Sequence, residues 1–212
     1  EFLDLSIDPA TGERLWDGTI VVDVNGGLAS FDAGWYTDGS PRVSHEEIVA
    51  VDLATRERRQ LTDAPGEQYG PTVTADLVAW VDLRSDPFSD SMRPCSGDIY
   101  GFDRATGEEL PLVTEGDVMH GPGLDAEGPW LAYDDQRWDA DPLCYGGRPQ
   151  SIVAFHVPTR TELRITGDDW PAWEAAERVY QRGDGSYGVI FIEEISYGAA
   201  TYRLWDCDLP AL

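Results

Sequence analysis

The sequence predicts an all-β chain built from repeated four-stranded antiparallel sheets, and three observations carry that reading. A phrase recurs as IVAVDLATR over 48–56, IYGFDRATG over 99–107 and IVAFHVPTR over 152–160, with a degenerate copy, LSIDPATG, over 5–12. The clear copies begin 51 and 53 residues apart, a period too long for leucine-rich or ankyrin arrays and suited to a four-stranded unit with one enlarged loop. Between copies, short apolar runs alternate with Gly/Pro/Asp turns, and no stretch of helical length carries an amphipathic helical period. Radial repetition of such sheets makes a β-propeller, whole or in part.

Each unit reads in the same order. A Gly-Pro step and apolar run open it, as in Tyr69-Gly70-Pro71-Thr72-Val73 and His120-Gly121-Pro122-Gly123-Leu124. A second run follows, Leu77 to Asp82 or Trp130 to Asp134, and then a long loop. The recurring phrase supplies the third strand and a hairpin of the Thr-Gly or Thr-Arg kind, and an outer strand ends in Leu61-Thr62, Val113-Thr114 or Ile165-Thr166.

Laid out this way, EQYGPTVTADLVAWVDLRSD over 67–86 and GDIYGFDRATGEELPLVT over 97–114 resemble the TolB-type, WD40-like propeller repeat of many secreted and surface-associated bacterial proteins. The repeat's marks are a Pro-led inner strand, Asp-x-Arg after the second strand, Asp-Ile-Tyr opening the third and Thr-Gly-Glu before Leu-Thr. Residues 59–166 match it over two blades, and the flanks match more loosely. The resemblance implies the fold and no activity, because propellers serve as lyases, peptidase gates, lectins and plain scaffolds.

The expected organisation is a single propeller domain over 1–212 with four to five blades: a partial blade at 1–17, whole blades at 18–63, 64–115 and 116–167, and a terminal blade at 168–212. The terminal segment divides in two ways. One makes 171–180 the first two strands, with 189–193 and 200–207 as the third and fourth; the other makes 201–206 the repeated phrase, which keeps the period constant. On the second division the first strand could complete the last blade and close a small ring. The alternative is a larger ring completed by other sequence or another chain.

With 212 residues, 42% of them hydrophobic, and 8 Trp and 9 Tyr, the chain can bury a core between blades. It carries 40 acidic residues against 15 basic ones, all of them Arg, for a formal net charge of -25. That charge repels phosphate backbones and anionic lipid, which excludes nucleic acid as a partner and points to cations, basic proteins or neutral sugars. No apolar stretch approaches the roughly 20 residues of a membrane helix, and no signal peptide stands at Glu1; a leader, if one is made, is expected to be removed. Cys95 and Cys144 fall in equivalent long loops of neighbouring blades, so a disulfide between them is expected over two independent free thiols, and it points outside the cytoplasm: extracellular, periplasmic or at the cell surface. Cys207 is left over.

In a propeller, the loops between blades and those joining second to third strands emerge on one face. There the sequence gathers Trp35, Tyr36, Tyr69, Arg84, Arg137, Trp138 and Trp170 as candidate binding groups, rings and guanidiniums suited to sugars or a peptide. The recurrence of Asp82-x-Arg84 and Asp135-x-Arg137 also fits a structural ion pair holding each loop. No cofactor is expected; Asp86, Asp90, Asp139 and Asp141 could supply oxygens to Ca²⁺, although no EF-hand spacing is present. Nucleophile elbow, zinc-protease and P-loop motifs are lacking. Two functions follow: a non-catalytic binding or scaffold propeller presenting an acidic, aromatic loop face to a protein or carbohydrate, or a polysaccharide lyase or glycoside hydrolase using His120, Asp82 and Asp135 at the channel mouth.

Overall fold

The computed structural model describes residues 22–36, 44–85, 97–114, 123–135, 151–166, 173–196 and 201–212. They form four antiparallel sheets in chain order. The first holds β1 (Val22–Asn25), β2 (Leu28–Tyr36), β3 (Ser44–Asp52) and β4 (Arg58–Gln60). The second holds β5 (Gln68–Val73), β6 (Leu77–Asp82), β7 (Asp98–Asp103) and β8 (Glu109–Val113). The third holds β9 (Leu124–Glu127), β10 (Trp130–Asp135), β11 (Ser151–His156) and β12 (Thr161–Arg164). The fourth is β13 (Trp173–Gln181), β14 (Tyr187–Ser196) and β15 (Thr201–Leu209). A single strand spans 173–181, and β15 takes the third place in its sheet, the place of β3, β7 and β11 in theirs. The chain is thus all-β with the blades of a propeller; the degenerate phrase at 5–12 lies outside the described residues.

The recurring phrase has a physical reading. Every residue of β6, β10 and β11 is buried, because each lies mid-sheet with another sheet stacked on either face. Asp52 and Asp103 each accept two turn amides on Oδ1, from Ala54 and Thr55 and from Ala105 and Thr106. The residue after the turn threonine has positive φ: Gly107 at 75°, but Arg56 at 63° and Arg160 at 54°. Those two arginines hold a conformation glycine adopts without strain. The threonine closing the outer strand is equally specific, since Thr62 and Thr166 hydroxyls accept the amides of Ile48 and Ile152 at 2.9 Å. Leu-Thr at the end of the repeat is therefore a latch onto the third strand.

The sheets pack in series. Ile48, Val73, Val78, Trp80 and Phe102 fill the first junction. The largest cluster, including Val81, Ile99, Leu124, Leu131 and Tyr133, fills the second. Trp130, Ile152, Val179, Val189 and Phe191 fill the third.

Candidate functional site

Asp82 ends β6 at the start of the loop face and is fully buried. Its Oδ1 accepts the Arg84 amide and Nε at 2.9 Å, and its Oδ2 accepts an Arg84 terminal nitrogen at 2.6 Å and Trp80 Nε1 at 3.1 Å. The same guanidinium reaches Glu109 on β8 at 2.8 and 3.1 Å and stacks 4.0 Å from the Tyr100 ring centroid. The hydrogen bonds that Arg84 donates to Asp82 and Glu109 raise its pKa further. The unit ties the end of the second strand to the outer strand of its own blade, and Asp82 accepts four hydrogen bonds, two on each oxygen.

Asp135 ends β10 opposite Ser151 and is 1% exposed. Tyr69 sits partly buried in β5, packed against the core between the second and third blades. Trp35 and Tyr36 close β2, opposite His45 and Ser44, with their backbones described. Asp86, Asp90, Cys95, His120, Arg137, Trp138, Asp139, Asp141, Cys144 and Trp170 lie outside the described residues. Among the described residues, no group of three or more His, Cys, Asp or Glu is placed to hold a metal ion. Cys207 is a free, partly buried thiol on β15, and burial with the charges of Asp206 and Asp208 raises its pKa, which favours the protonated thiol.

The structure adds two features beyond the residues singled out from the sequence. First, at the loop-face junction of the first two blades, Glu46 on β3 lies within the fields of Glu67, just before β5, and Asp32 on β2. Burial first, then these two charges, push its pKa up to about 7. The Glu46-Glu47 pair beside His45 is the only sequence trace of this, and it reads as ordinary strand surface.

Second, the first strands of two blades carry carboxylate clamps. Asp23 on β1 accepts the Val73 amide at 2.7 Å and the Thr72 hydroxyl at 3.0 Å, both on β5 of the next blade. Asp125 on β9 accepts the Val179 amide on β13 at 2.7 Å, with Arg178 3.7 Å away. Burial, together with the charge of Asp23, raises the Asp125 pKa despite the amide and Arg178. The signal was legible: an acid stands at one register of alternate inner strands, Asp23 opposite Ser30 and Asp125 opposite Ala132.

No family model matches the sequence, and no curated protein matches it either. Solved structures do. An oligogalacturonate lyase from Vibrio parahaemolyticus is 16% identical with a TM-score of 0.57, over 95% of this chain and 55% of that one. A putative TolB from Agrobacterium tumefaciens is 16% identical with a TM-score of 0.53, over 87% and 58%. The β-propeller domain of the trilobed protease from Pyrococcus furiosus, described as having an open velcro topology, is 11% identical with a TM-score of 0.53, over 93% and 57%. The chain spans about half the length of these proteins, and at such identities the likeness defines a class, the β-propellers, and nothing narrower.

Proposed function

We propose that this chain is a non-catalytic, TolB-like propeller acting outside the cytoplasm, whose acidic loop face receives a basic segment of a protein partner. The observation that carries the reading is the Asp32, Glu46 and Glu67 junction, where burial, and after it the charges of Glu67 and Asp32, bring the Glu46 carboxyl to a pKa of about 7. Such a site is held at an electrostatic cost that an arriving guanidinium or ammonium group relieves. The net charge of -25 steers the same class of partner towards it.

The lyase or hydrolase reading needs acid and base groups that reach a substrate. Asp82 and Asp135, two of its three residues, are 0% and 1% exposed, and Asp82 is saturated by Trp80 and Arg84. The binding reading needs neither.

Calorimetric titration with a hexa-arginine peptide at pH 7, in two buffers of different ionisation enthalpy, tests the proposal. A cation beside Glu46 lowers its pKa, so binding should release up to about half a proton. Glu46→Gln should abolish that release. Absence of binding, or proton release unchanged in Glu46→Gln, would overturn the reading, as would preferential binding of a neutral oligosaccharide that the peptide does not displace.

A further inference from the structure

The hairpin face, opposite the loop face, carries a site of a different kind. A cleft of about 270 Å³ opens between the first two blades, where β2 and β6 begin and β3 and β7 end. Its apolar floor is Leu28, Leu61, Val78 and Phe102, the edge of the core cluster of that junction.

One residue there departs from the repeat. Strand register makes Arg59, opposite Ala50, the equivalent of Leu110 opposite Gly101 and Leu163 opposite Ala154. Leu110 packs against the core of the second junction and Leu163 against that of the third. Where those junctions receive a leucine, the first has an exposed guanidinium lying 4.7 Å from the Phe102 ring centroid. Among the described residues no carboxylate pairs with Arg59, in a chain with 40 acidic and 15 basic residues. Its neighbour Arg104 is engaged by the Thr74 carbonyl.

We propose that this cleft binds a small apolar monocarboxylate, with Arg59 as the group that recognises the anion. The guanidinium carbon lies over the Phe102 ring, and the N–H groups at its edge can donate two parallel hydrogen bonds to a carboxylate. The apolar body lies on Leu61 and Val78. The cleft is at the small end of ligand sites, which suits an aryl- or alkyl-carboxylate rather than a chain of sugars. Asp52 and Glu57 also border it, so a second negative charge on the ligand would be repelled. Asp52 is already tied to the amides of its own turn and does not compete for Arg59.

The test is calorimetric titration with 3-phenylpropionate, with 3-phenylpropanol as the uncharged counterpart and phenylsuccinate as the dianion. The acid should bind at least about tenfold tighter than the alcohol, since a charge-assisted pair is at stake. It should also bind more tightly than the dianion. Arg59→Leu, which restores the repeat residue and should keep or raise the melting temperature, should abolish binding of the acid, and Arg59→Lys should weaken it. No binding of 3-phenylpropionate at millimolar concentration, equal affinity for the alcohol, or undiminished affinity in a folded Arg59→Leu protein would overturn the proposal.

Discussion

Replacing Arg84 by leucine isolates the largest single electrostatic commitment described in the fold. Asp82 would keep the Trp80 indole and the backbone amide of residue 84, but lose the guanidinium bonds at 2.9 and 2.6 Å. Glu109 would lose its tie to the loop, and Tyr100 the cation above it. Removing one partner of a buried pair costs about 3–5 kcal/mol, because the other charge stays in low dielectric. Arg84 is 23% exposed while Asp82 is fully buried, so water can replace part of what is lost; the lower end, about 3 kcal/mol, is expected. For a chain of this size that corresponds to a fall in melting temperature of roughly 6–12 °C. Urea unfolding with a fitted slope, together with calorimetry, measures it. A loss below about 1 kcal/mol would mean that the pair behaves as a surface salt bridge and would refute the reasoning. Asp82→Leu/Arg84→Leu together should recover much of the loss, which separates a stranded charge from lost packing. Glu109→Gln, at the exposed end, should cost under about 1 kcal/mol.

Glu46 carries a pH signature. Its folded pKa, about 7, lies above the ordinary 4.5, so the folded protein holds a proton between those values that the unfolded chain has released. Stability contributed by that proton is full below pH 4.5 and lost as pH rises through 7, a decline on the order of 1–2 kcal/mol once solvent screening is allowed for. Glu46→Gln should flatten this slope and be the more stable protein at pH 8, as denaturant midpoints measured from pH 4.5 to 8 would record. Asp125→Ala leaves the Val179 amide without its acceptor; a cost of about 1–3 kcal/mol is expected, with faster hydrogen exchange at that amide. Asp125→Asn, which keeps an acceptor oxygen, should recover most of the protection.

The blades were legible because local and global demands coincide in them. Ile48, Ile99 and Ile152 each lie in a buried stretch of a third strand; Asp52 and Asp103 then tie the turn amides of the first two hairpins, and His156 bonds Thr159 in the third. The candidate site was less legible, for a physical reason. A recurring Asp-x-Arg motif does not disclose which way its side chains turn: Asp82 is drawn inwards by Trp80, and Arg84 folds over Tyr100. Glu46 acquires its character from Asp32 and Glu67, which are distant in sequence and become neighbours only when the first two sheets meet. Arg59 looks like surface in a single copy, and only strand register shows that it stands in the place of Leu110 and Leu163.

The alternation of inner-edge residues makes the seams between blades chemically unequal. Asp23 grips the second blade and Asp125 the fourth, while at this register the second blade has Thr72, whose hydroxyl turns back to Asp23. The middle seam rests chiefly on the largest apolar cluster. Contacts of that kind weaken on cooling, whereas the amide-to-carboxyl bonds of Asp23 and Asp125 at the other two seams do not rest on apolar hydration. Cold should therefore part the molecule into two double-blade halves.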